Sequence, residues 1–137
     1  MLYELNLETA DVDQLGQILQ FVDEHLEALN CPMKAQMQID IAVEEIFVNI
    51  ASYAYAPEEG PVTLRIDREE NPAAISITFI DSGVPFDPLA RQDPDVTLSA
   101  EERQIGGLGI YTVKQSMDSV TYTRENGQNI LTLSKTL

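Results

Sequence analysis

Two rhythms of apolar residues alternate along the chain. Val12, Leu15, Leu19, Val22, Leu26 and Leu29 recur at steps of three and four, the period that gathers side chains on one face of an α-helix. This predicts a first helix over about residues 10–29. Thr9 would be its N-cap, with Asp11 and Asp13 in a first turn whose unpaired N–H groups favour negative charge. Asn30-Cys31-Pro32 ends it, and Pro32 suits the first turn of a second helix. There Ile39, Val43, Ile46, Ile50 and Tyr53 form a second stripe, running to about Ala56. Residues 57–61, with two prolines and a glycine, predict a turn. Residues 62–67 and 74–81 alternate with the period of half-buried strands, joined through 69–72, with Ile75, Ile77 and Phe79 on one face. A third helix over 110–117 is opened by glycines. Strands at 119–124 and 129–135 then flank Asn126-Gly127, a strong two-residue hairpin signal. Residues 2–7 complete the set as a short strand.

The predicted order is β-α-α-β-β-α-β-β. Strands joined by tight turns make a mixed, mostly antiparallel sheet, and three helices must cover one of its faces. The fold class is therefore α+β, a two-layer sandwich, and 137 residues fit a single domain spanning 1–137. Residues 82–105 stand apart. They carry three prolines and several acids ahead of Gly106. A long stretch of that kind inside a compact domain is usually a functional lid or disordered; residues 88–105 are expected to be a lid.

Composition narrows the partners. Twenty-three acids against eight bases give a net charge of −15, which disfavours nucleic acid and anionic membrane surfaces. A polyphosphate would need local cations or backbone amides to offset that field. Cys31 is the only cysteine, so neither an internal disulfide nor a CxxC-type metal site is available, and it is expected as buried filler. With no apolar run of membrane-spanning length and no leader pattern, a cytoplasmic location is expected. His25 is the only histidine and lies near the first stripe, where a packed or half-exposed residue is expected rather than a ligand.

Three stretches carry candidate chemistry. Glu45 and Asn49 are four apart, one turn from each other beside the second apolar stripe. A carboxylate and an amide oxygen there can take a proton and hold a hard cation; the plain alternative is the polar edge of an amphipathic helix. Asp81 ends an apolar strand, and Gly83 follows. A carboxylate accepts hydrogen bonds and can read an amino group such as that of adenine, and a glycine lets a flat ring approach the backbone. An ordinary Asp-x-Gly turn is the alternative. Gly106, Gly107, Leu108 and Gly109 open the third helix, where successive N–H groups suit phosphate. No Gly-Lys-Ser/Thr follows, so this is not a Walker A loop, and the dinucleotide spacing is missing.

In that order, Glu45-x-x-x-Asn49, Asp81-x-Gly83 with Pro85-Phe86-Asp87-Pro88, and Gly106-Gly-Leu-Gly-Ile110 resemble the ATPase domain shared by gyrase, histidine kinases and mismatch-repair proteins. Within it, Met117-Asp118 and Asn126-Gly127 resemble the anti-sigma factor serine/threonine kinases, over residue 8 to the C-terminus. The resemblance implies ATP and Mg²⁺ as cofactors. It implies Asn49 as the residue holding the metal at the phosphates, Glu45 as general base, and Asp81 bonded to the adenine amino group with Gly83 beneath the ring. Gly107 and Gly109 would cradle phosphates, with Arg103 as the phosphate-facing cation and Arg91 second. Tyr53 stands where some members carry histidine, and Arg103 is set back from the glycines by Gln104 and Ile105. The implied activity is phosphoryl transfer to a Ser or Thr of a small antagonist protein, together with sequestration of a sigma factor. The rivals are an ATP-gated binding switch without turnover and a nucleotide-free acidic interaction domain. The uncovered edge of strand 2–7 and the first helix make a homodimer plausible.

Overall fold

The computed structural model describes residues 2–55, 58–85 and 107–137. Five strands form one sheet: β1 (Leu2–Leu7), β2 (Val62–Glu69), β3 (Ala74–Asp81), β4 (Ser119–Glu125) and β5 (Gln128–Thr136). Their order across the sheet is β1-β2-β3-β5-β4, and every pairing is antiparallel. Helices α1 (Leu15–Ala28), α2 (Met33–Asn49) and α3 (Gly107–Ser116) provide the second layer. The α+β sandwich expected from the two rhythms is present.

Register explains where the core ends. One row of helix-side residues crosses the sheet as Tyr3, Ile66, Ile77, Leu133 and Val120, and the next as Leu5, Leu64, Phe79, Leu131 and Tyr122. Both rows lie against Ile18, Val22, Leu26, Ile39, Val43 and Phe47 of α1 and α2, all fully buried. Each such side chain removed from water contributes about 1.5–3 kcal/mol. The third row begins apolar, with Leu7 and Val62, and then turns polar as Asp81, Asn129 and Arg124. That change from apolar to polar midway along one row marks the site.

Local chemistry sets the connections. The first helix begins later than expected: Asp11, not Thr9, caps a 3₁₀ turn at Val12–Gln14, accepting from the Asp13 N–H while the Gln14 amide oxygen accepts from the Asp11 N–H. Val12 is exposed and Ile18 takes its place in the core. At the other end Asn30 adopts a left-handed φ of 58°. The Asn30 N–H bonds the Glu27 carbonyl and the Cys31 N–H the Leu26 carbonyl, the paired bonds of a Schellman close. Pro32 then sits just before α2 as its N-cap. Asn126 and Gly127 both have positive φ, 52° and 77°, as a two-residue primed turn requires. Cys31 is half-exposed rather than buried, and His25 is held between the rings of Tyr3 and Phe21, each centroid 4.2 Å away.

Candidate functional site

Helix α2 does not stay an α-helix to its expected end. After Asn49 the chain widens into a π turn, Ile50–Ala54. A π turn holds an extra residue, so every position after Ile50 is set back around the helix, and such turns concentrate at functional sites. Ile39, Val43, Ile46 and Ile50 are buried as the stripe predicts, but Tyr53 is carried out of it and is 51% exposed. It lines a cleft instead.

That cleft holds about 440 Å³, counting the part open to solvent. Its apolar lining is Ile46 and Ile50 from α2, Ile110 from α3 and Leu131 from β5. Asn49, Tyr53, Asp81, Tyr122 and Asn129 supply its polar edge, with Ala54 beside them. The proportion suits a flat, mostly apolar ligand fixed by a few polar groups. Among the described residues, no Lys or Arg lines the cleft.

Asp81 stands at the end of the middle strand and is 6% exposed. Its Oδ1 accepts the Gly83 N–H at 2.9 Å and the Asn129 Nδ2–H at 2.9 Å. No described residue donates to Oδ2. The turn after it is pinned to the end of α2: the Val84 N–H bonds the Ala54 carbonyl at 2.8 Å, and the Ser82 N–H bonds the Tyr55 hydroxyl at 2.7 Å. Tyr55 in turn donates to the Pro61 carbonyl. Burial pushes the Tyr55 hydroxyl pKa up; the Ser82 N–H opposes this and the charge of Asp81 adds to it. Tyr55 thus stays a neutral phenol able to donate and accept at once.

Gly83 is needed for a reason internal to the protein. A Cβ there would come within 2.2 Å of the Ala54 carbonyl oxygen, an approach no side chain allows. Glu45 is half-buried one turn before Asn49 and is outside the cleft lining. Gly107, Leu108 and Gly109 form the first turn of α3, as the glycine cluster predicted. Arg91, Arg103, Gly106 and the expected lid 88–105 lie outside the described residues. The structure therefore brings Asn49 and Asp81 to one cleft, with Glu45 adjoining. Sequence reasoning missed Asn129, Tyr122, Arg124 and Tyr55.

This sandwich, with its cleft between the end of α2, α3 and the polar end of the sheet, has counterparts among known proteins. The profile of the histidine kinase-like ATPase domain matches residues 9–135, and the chain belongs to that family. It is 26% identical over 101 residues to the serine/threonine-protein kinase BtrW of Bordetella bronchiseptica, covering 74% of this chain and 70% of that one. It is 30% identical over 98 residues to the serine-protein kinase RsbW of Listeria monocytogenes, covering 68% of this chain and 61% of RsbW. The match thus spans less than two thirds of the RsbW relative. Among solved structures, one from the SiaB-SiaC complex of Pseudomonas aeruginosa superposes with a TM-score of 0.56 at 16% identity, covering 97% of this chain and 89% of that one. The histidine kinase domain of a blue-light activated kinase from Erythrobacter litoralis gives 0.52 at 16%, covering 92% and 60%. These two likenesses concern the fold. No helix among the described residues is long and apolar enough to cross a membrane.

Proposed function

We propose that this protein is an ATP-dependent serine/threonine protein kinase of the anti-sigma type. It would transfer the γ-phosphoryl group to a hydroxyl on a small antagonist protein and sequester a sigma factor in the cytoplasm, as a single domain that pairs through the open edge of β1. The observation that carries the reading is the meeting of Asn49 and Asp81 at one largely apolar cleft, with Glu45 a turn away. The names of the BtrW and RsbW relatives support protein phosphorylation as the chemistry.

In this reading the apolar part of the cleft would take the base, with Asp81 accepting from its amino group and Gly83 leaving room for the ring. The phosphates would run toward Asn49 and the first turn of α3, where the backbone N–H groups of Gly107, Leu108 and Gly109 would compensate their charge, with Gly106 a further donor by the family resemblance. Arg103 adds the side-chain cation. Phosphoryl transfer asks the protein mainly for positioning and charge stabilisation. Glu45 orients the attacking hydroxyl and takes its proton. No group of three or more His, Cys, Asp or Glu side chains among the described residues could cage a metal. That fits Mg²⁺, which keeps its waters and binds through one or two protein oxygens plus phosphates. Asn49 Oδ1 is the protein oxygen suited to hold it, and the ion would neutralise phosphate charge.

A second reading, an ATP-gated switch that binds partners without turnover, draws on one observation: Glu45 is outside the cleft lining. Labelled ATP with a candidate antagonist, beside calorimetry with a non-hydrolysable analogue, separates the two. Glu45→Ala is expected to slow phosphorylation by about 10²–10⁴ while nucleotide affinity holds or rises. Asn49→Ala is expected to weaken Mg-ATP binding itself. Tight ATP binding with no phosphorylated antagonist replaces the kinase with the switch.

A further inference from the structure

Asn129 is a residue the family resemblance gave no role, and it is 5% exposed at the edge of the cleft. It faces Asp81 directly across the β3–β5 pairing. Its Nδ2 donates to Asp81 Oδ1 at 2.9 Å and to the Val84 carbonyl at 2.8 Å. Its Oδ1 accepts from the Tyr122 hydroxyl and from Arg124 Nη1 at 3.1 Å. An amide has two donor hydrogens and two acceptor lone pairs, and all four are used. The orientation is fixed by chemistry. Turning the amide over would set its oxygen against a carboxylate and a carbonyl, both acceptors, and its NH₂ against an arginine, which only donates.

Arg124 Nη1 also donates to the Gly83 carbonyl at 2.8 Å. The turn 81–84 is therefore held from the β4–β5 hairpin as well as from α2. The consequence falls on Asp81. With Gly83 N–H and Asn129 Nδ2–H both on Oδ1, the carboxylate cannot turn freely, and Oδ2 is the oxygen left for a ligand.

We infer that Asn129, braced by Arg124 and Tyr122, is the positioning residue that presents Asp81 Oδ2 as a fixed acceptor and so makes the cleft prefer a base with an exocyclic amino group over one with an oxo group. The inference rests on the nucleotide reading above. An amino group meets the oxygen with a hydrogen; a 6-oxo group sets acceptor against acceptor, and neither is satisfied. Sites built around a buried polar partner discriminate strongly against ligands that cannot pair with it.

The test compares ATP with inosine triphosphate, which differs in having an oxo group at that carbon. Calorimetry on the full chain measures both affinities for the parent, Asn129→Ala and Arg124→Met. The parent is expected to prefer ATP by about tenfold or more. Asn129→Ala is expected to lose more affinity for ATP than for inosine triphosphate and so to lose most of the preference. Arg124 is outside the cleft lining, so Arg124→Met carries the test if the first variant does not fold; about a threefold loss of preference is expected. A purely structural role would weaken both ligands alike, so an unchanged ratio in a folded variant overturns the inference and leaves the nucleotide reading standing. A parent that binds neither nucleotide overturns both.

Discussion

Two aspartates lie beside helix α2, Asp40 at its middle and Asp81 of β3 near its C-terminal end, and they are treated in opposite ways. Asp81 is met by two N–H donors at the π turn that ends the helix. Asp40, on α2 itself, faces Asp23 of α1. Gln36 Nε2 lies nearby but donates to Asp23 Oδ1 at 3.2 Å, and Asp40 Oδ1 is buried without a partner. Burial first, then the hydrogen bond and the charge of Asp23, push the Asp40 pKa up to about 7. A proton on Asp40 converts the orphaned acceptor into a donor toward Asp23. The same residue type is thus an acceptor held ready in one place and a proton store in the other. At Asp40, burial and the neighbouring carboxylate of Asp23 favour the protonated form.

The strongest way to break this contrast is to displace a donor of Asp81 through the backbone. Gly83→Ala puts a methyl where the Ala54 carbonyl oxygen would be 2.2 Å away. Neither backbone can yield cheaply, because the Val84 N–H is bonded to that same carbonyl. Overpacking of this kind costs about 3 kcal/mol. The variant is expected to unfold at correspondingly lower urea, and to lose nucleotide binding even where it remains folded. An unchanged denaturation midpoint would show that the turn adapts and that Asp81 does not depend on it.

How far the sequence foretold each region follows from how local its causes are. The alternation in 62–67 and 74–81, the Asn126-Gly127 turn and the stop at Asn30 are local, and each element appeared where its residues placed it. Asp81 and Gly83 were legible as a pair because the turn joins them. The reason for Gly83 was not, since it lies in Ala54, distant in sequence. Asn129 was missed because its partner is 48 residues away and only register brings them together. Part of that register was available. A two-residue turn at 126–127 fixes Glu125 opposite Gln128 and hence Arg124 opposite Asn129. The π turn left no clear mark, because Tyr53 continues the α-helical spacing that the chain abandons at Ile50.

The contrast sharpens next at the other aspartate. Asp40 holds its proton to about pH 7 in the folded protein, against an ordinary value of 3.8. Between those values the folded state binds a proton the unfolded chain has released, so stability falls as pH rises through the window. Asp40 is half-exposed, and solvent screening reduces the effect to about 1–2 kcal/mol. The other groups at this corner are Gln36, the Cys31 thiol, whose pKa burial raises, and the Arg68 guanidinium, which opposes that rise. Asp40→Asn keeps an N–H toward Asp23 without a charge. It is expected to stabilise the protein by that amount at pH 8, with the gain fading toward pH 4. A gain that does not vary with pH would mean Asp40 is not the titrating group.

The smallest effect is expected at Tyr55, and it tests whether the two regions are independent. Its hydroxyl accepts from the Ser82 N–H at 2.7 Å and donates to the Pro61 carbonyl, so it ties the Asp81 turn to the strand entry at β2. Its ring also lies over Gly60, where a Cβ would come within 2.4 Å of it. Tyr55→Phe keeps the ring and removes both bonds. Ser82 is exposed, so its freed N–H can turn to water, and the cost is about 1 kcal/mol rather than that of a buried orphan. Amide exchange at Ser82 should quicken accordingly. The Asp23–Asp40 corner shares none of these contacts, and well-separated sites without common partners act additively. The pH dependence of stability assigned to Asp40 should therefore be the same in Tyr55→Phe as in the parent. A displaced pH dependence would show that α2 couples its middle to its C-terminal end, and that the proton on Asp40 bears on how firmly the Asp81 turn is held.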